Sequence, residues 1–112
     1  MKNEKVILQI KKENINLIKS GSKKTEWRQS SFYNKKLLFS AREDGKLDGN
    51  KDIKFIEFIN GYNKFRETLV VEVVSIRLVK FSKDIEIKED NFKAKEGQFA
   101  IEIKLGNIIV NN

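Results

Sequence analysis

The chain has 112 residues and a formal net charge of +7, and it contains no Cys, no His and no Pro. That length supports one domain, residues 1–112, with its own hydrophobic core. Lack of Cys and His excludes thiol nucleophiles, disulfides, Cys/His zinc sites and imidazole bases.

The charge is unevenly placed. Residues 1–42 carry 11 Lys/Arg and 3 Asp/Glu, a net of +8, whereas residues 43–112 net −1. An excess confined to one segment forms an electrostatic footprint for phosphates; the plain alternative is a Lys-rich solvated surface. Met1-Lys2-Asn3-Glu4-Lys5 is charged, and no apolar stretch is long enough for a signal segment or a bilayer span. The expectation is a cytoplasmic protein with no membrane contact.

In chain order, Val6–Ile10 reads as a short buried strand. Over Glu13–Gly21, the spacing of Ile15, Leu17 and Ile18 predicts a short helix, with Asn14 as N-cap and Gly21 at the left-handed C-terminal position. From Lys24 to Arg28 the chain alternates, with Thr25 and Trp27 on one face and Lys24, Glu26 and Arg28 on the other. Ser30-Ser31 reads as a break, Phe32-Tyr33 as part of a loop, and Lys36–Ala41 as a strand. Glu43–Asn50 is polar and Gly-bearing, so a surface loop is expected. Ile53–Ile59 and Glu67–Phe81 are strands joined through the hairpin signal Asn60-Gly61; the second is apolar on both faces, as a central strand requires. Asp84–Glu96 reads as a loop or weak strand. Phe99–Ile103 is a closing strand, and Gly106-Asn107 is expected to turn the chain into Ile108–Val110. The fold expected is mainly β with one or two short helices (α+β), a partly closed β-barrel with a helix over one opening.

The informative segment is Gly21-Ser22-Lys23-Lys24-Thr25-Glu26-Trp27-Arg28. A glycine at the helix-to-strand junction permits positive φ. Lys23 is expected to project from that turn, with Glu26 and Arg28 on one strand face. Two cations about one carboxylate hold a phosphate through Lys23 and Arg28, while Glu26 orients the guanidinium or accepts from a base amino group or ribose hydroxyl. The plain alternative is a surface Glu–Arg pair worth under ~1 kcal/mol.

Here the chain resembles the ASCH domains of the PUA-like superfamily, whose hallmark Gly-x-Lys-x-x-Glu-x-Arg is matched at Gly21, Lys23, Glu26 and Arg28. Val6–Ile10, Ile15–Gly21, Leu37–Ala41 and Phe99–Gly106 are similar to the family's flanking elements. Residues 43–68 and 82–97 match by strand pattern alone. The resemblance implies a PUA-like β-barrel with a cleft beside the motif and an association with RNA. Some members are enzymes. One group removes the acetyl group of N4-acetylcytidine with a Lys, a Thr and a distant Glu. In that group a Thr stands where this chain has Glu26, so Thr nucleophile chemistry does not carry over. Other small members resemble ribonucleases.

Further binding candidates surround the motif. Tyr33, with Lys35 and Lys36 behind it, suits a single-stranded nucleic acid. Ser40 and Arg42 end a strand expected beside the motif, and Lys11 and Lys12 extend the basic face. Trp27, opposite Glu26 and Arg28, reads as core rather than a stacking platform. Three functions compete. The first is a module binding RNA or a nucleotide through Gly21, Lys23, Glu26, Arg28, Tyr33, Lys35, Lys36, Ser40 and Arg42. The second is a ribonuclease or modified-nucleoside amidohydrolase with Lys23 and Glu26 as catalytic pair. The third is a protein-interaction or inhibitor domain. No cofactor and no metal are expected; Asp44, Asp48 and Asp52 read as solvated loop carboxylates.

Overall fold

The computed structural model describes residues 5–41, 47–50, 53–61, 66–88 and 92–111. The first helix shows how the sequence sets local structure. α1 spans Lys12–Ser20, with Ile15 and Ile18 buried on one face. Gly21 stops it at φ 83°, and the amides of Ser22 and Lys23 both donate to the Leu17 carbonyl at 3.0 Å. Only a residue without Cβ adopts this backbone at no steric cost. Asn14 is not the N-cap. Lys11 holds that place, with extended backbone and no side-chain cap, while Asn14 lies within the helix and is buried.

The strands are β1 (Lys5–Gln9), β2 (Thr25–Gln29), β3 (Phe39–Ala41), β4 (Leu47–Asn50), β5 (Phe55–Ile59), β6 (Thr68–Lys80), β7 (Ile85–Ile87), β8 (Phe92–Ala94) and β9 (Phe99–Asn111). Five of them form one sheet in the order β1-β5-β6-β9-β2. β1 runs parallel to β5, and the other neighbours are antiparallel. This sheet curls into a half-barrel, so the fold is mainly β with two short helices, a partly closed α+β barrel. β6 is central, as its two apolar faces require. β3 with β4 and β7 with β8 form two small ladders. Among the described residues, no helix is long and apolar enough to cross a membrane.

Three local expectations are corrected. Residues 32–38 form a second helix, α2 (Phe32–Leu38), so the strand expected over 36–41 shrinks to β3. The break expected at Ser30-Ser31 is present, and Ser31 is the N-cap of α2, its hydroxyl accepting the Asn34 amide at 3.1 Å. Residues 47–50 pair as β4 rather than continuing a loop. The chain also does not turn at Gly106-Asn107. β9 runs through it, and the misfit is absorbed as register shifts against Val70–Ser75 of β6. A Cβ at Gly106 would meet Glu72 Cβ at 3.2 Å, so the close approach of β6 favours glycine there.

The main core joins both sides of this sheet's concavity. Val6, Leu8, Ile56, Phe58, Leu69, Val71, Ile76, Ile101 and Ile103 pack with Ile15 and Ile18 of α1, and with Leu38 and Phe39. Each such side chain contributes about 1.5–3 kcal/mol when fully buried. A second cluster lies across the sheet, where Phe92, Ala94 and Ala100 pack with Trp27, Phe81, Ile85 and Ile87. Trp27 sits 5.4 Å from Phe81 and 6.1 Å from Phe92 between ring centroids, a packing role.

Candidate functional site

β2 places the motif. Its register sets Glu26 opposite Ile103 and Arg28 opposite Ile101, two fully buried core residues of β9. Strand alternation therefore turns the carboxylate and guanidinium toward the concave core side, and Trp27 toward the second cluster. Glu26 is 4% exposed, and a carboxylate so buried requires cations. Lys23 Nζ stands 3.2 Å from Oε1, and Arg28 Nε stands 2.7 Å from Oε2. Arg28 also donates from Nη2 to the Gln9 carbonyl at 2.7 Å.

That last bond has an architectural meaning. β1 and β2 are the two edges of the five-stranded sheet. Arg28, from one edge, grips the backbone at the end of the other. The half-barrel is thus clasped by a charge-assisted hydrogen bond where, among the described residues, no ladder joins the edges. α1, which connects the same two edges in sequence, packs beside the clasp.

A cleft of about 270 Å³ opens there, lined by Gln9, Lys11, Asn14, Glu26, Arg28 and Asn34 among others. Its chemistry is polar. Lys11 is exposed at the rim, and Asn34 Nδ2 donates to the Gln29 carbonyl at 2.9 Å, holding the start of α2 against the end of β2. One buried acceptor of the cleft residues, Asn14 Oδ1, has no hydrogen-bond partner among the described residues. Glu26 Oε1 is ion-paired with the Lys23 ammonium. Arg28 Nε is likewise ion-paired with Oε2.

The residues named from sequence are distributed as follows. Lys23, Glu26 and Arg28 come together, while Gly21 ends α1 and lines a neighbouring cleft with Lys23. Lys23, however, does not project from the turn: it is 8% exposed and turned inward to Glu26. It lines the neighbouring clefts formed with Lys24, not the one over Glu26 and Arg28. Lys35 and Lys36 occupy the last turn of α2, half-buried and exposed respectively, and neither lines the cleft. Tyr33 belongs to α2 and Ser40 to β3, but their side chains lie outside the described residues, as does Arg42 altogether. Sequence reasoning missed Asn14, Gln9 and Asn34. For Asn14 a signal existed: it lies four residues before Ile18 and one before Ile15, so it shares the inward face of α1.

A second ionic cluster ties α1 to the start of β6. Glu67 accepts from Lys19 Nζ, and Lys12 Nζ is 3.7 Å from its other oxygen. The hydrogen bond from Lys19 holds the Glu67 carboxyl below its ordinary value.

Comparison with protein-family models, with curated proteins and with solved structures found no match to this chain.

Proposed function

We propose that the chain is an ASCH-like module that binds RNA or a nucleotide, with one unpaired nucleotide entering the cleft between α1, β2 and α2. The observation that carries this reading is the buried Glu26 carboxylate, flanked by Lys23 and Arg28 under an open polar cleft with Lys11 at its rim. Arg28 and Lys11 supply positive charge for a phosphate, and Glu26 and Asn14 supply acceptors for a base. The cleft is smaller than the roughly 300–1,000 Å³ typical of drug-sized sites, so it suits a single nucleoside unit better than a duplex. Lys23 acts through Glu26, orienting the carboxylate. This geometry favours binding over catalysis: in the enzymatic alternative Lys23 must reach the substrate, and it faces Glu26 from outside the cleft. The match of Gly21, Lys23, Glu26 and Arg28 to the ASCH hallmark supports the same assignment.

The test is fluorescence anisotropy of short single-stranded RNAs across a salt series. Affinity is expected to fall with salt at a log–log slope of about −0.7 per phosphate contacted. Lys11→Ala is expected to flatten that slope by about one contact. Absence of binding, or binding indifferent to salt, would refute the proposal.

A further inference from the structure

The cleft residues combine two features that are hard to reconcile with a purely structural role. Asn14 is a poor helix former placed at a buried position on α1, 5% exposed, and its Oδ1 has no hydrogen-bond partner among the described residues. Glu26, from β2, adds a buried carboxylate to the same cleft, with Oε1 3.2 Å from the Lys23 ammonium and Oε2 2.7 Å from Arg28 Nε. Native proteins pair nearly all such atoms, and each exception asks for a physical reason. An unpaired amide oxygen and a carboxylate, on two different elements lining one cleft, have a common reason if a ligand donates to them.

Resting on the reading above, we infer that the cleft selects nucleobases bearing an exocyclic amino group, with Asn14 as a specificity-determining residue. The amino groups of cytosine, adenine and guanine each offer two N–H donors. Uracil and hypoxanthine present a carbonyl at the corresponding position, which would set oxygen against oxygen. Asn14 Oδ1 and the Glu26 carboxylate are screened from bulk solvent, so a donor must enter the cleft to meet them. Arg28 and Lys11 lie on the same cleft and hold the attached phosphate. No bond is made or broken in this step; the selection is by hydrogen bonding alone.

The experiment compares matched pairs by calorimetric titration of the full chain: CMP against UMP, and AMP against IMP. The amino-bearing member is expected to bind about tenfold or more tightly, the scale set by leaving a buried acceptor unpaired. Asn14→Ala is expected to erase most of that ratio while retaining the salt-dependent, phosphate-driven part of binding. Equal affinities within each pair in the unmodified protein would overturn this inference and leave the binding module standing. A ratio unchanged in a folded Asn14→Ala variant would overturn the role of Asn14. Failure of all four nucleotides and of single-stranded RNA to bind would overturn both readings. The comparison in the unmodified protein decides the matter even if the variant does not fold.

Discussion

Replacing Glu26 with Ala tests the ionic cluster most directly. The carboxylate has 5% side-chain exposure and neutralises Lys23, at 6%, and Arg28, at 22%. Removing one partner of a buried pair costs about 3–5 kcal/mol, because the remaining charge keeps its desolvation penalty. Arg28 retains some solvent and its bond to the Gln9 carbonyl, so the cost falls chiefly on Lys23 and the low end applies, about 3 kcal/mol. For a chain of this length that corresponds to a fall in Tm of about 12 °C. Urea unfolding followed by circular dichroism measures it as a shift in midpoint at constant slope. The double variant Lys23→Met, Glu26→Leu removes both buried charges and is expected to regain most of the loss, since apolar replacements of buried pairs are often neutral. Its RNA affinity is expected to stay low, which would separate the cluster's role in binding from its role in folding. A Glu26→Ala midpoint within about 0.5 kcal/mol of the parent, or a double variant as unstable as the two single ones added, refutes the reasoning.

Three further outcomes follow from the same coordinates. Asn14→Leu is expected to stabilise the fold by roughly 1 kcal/mol, because it removes an unpaired buried acceptor and improves helix propensity; a lower Tm would make Asn14 a structural residue. Gly21→Ala is expected to cost about 1–2 kcal/mol in the same unfolding assay; nothing crowds a Cβ there, so the whole effect is backbone strain at positive φ, and a neutral result would remove that account. Because the Glu67 carboxyl is held below its ordinary 4.5, mainly by Lys19, its stabilisation is complete above that value and is lost as pH falls through the lower folded value; the Lys19→Ala variant is expected to flatten the stability profile in that acid range, and an unchanged profile would contradict it.

Much of the site was written locally. Gly21 at a helix end and the alternation from Thr25 to Arg28 depend only on nearest neighbours along the chain. They correctly placed Glu26 and Arg28 on one face and Trp27 on the other, and the apolar runs correctly located β1, β5 and β6. Local pattern failed where it was ambiguous. Leu37-Leu38-Phe39 is apolar whether helical or extended, and the choice of helix fell to the Ser31 cap and to burial of Leu38 against the main core. Gly106-Asn107 carries a turn signal, yet pairing with β6 carried the strand through it with shifts in register.

The sequence by itself determined which side chains share a strand face and where the first helix stops, because those follow from backbone periodicity and the sterics of one glycine. Only the tertiary structure decided that this face points inward, that Lys23 is buried against Glu26, and that Arg28 reaches the carbonyl of Gln9. Each depends on how far the sheet curls, and curl is a property of five strands packed on a common core, which no short segment encodes.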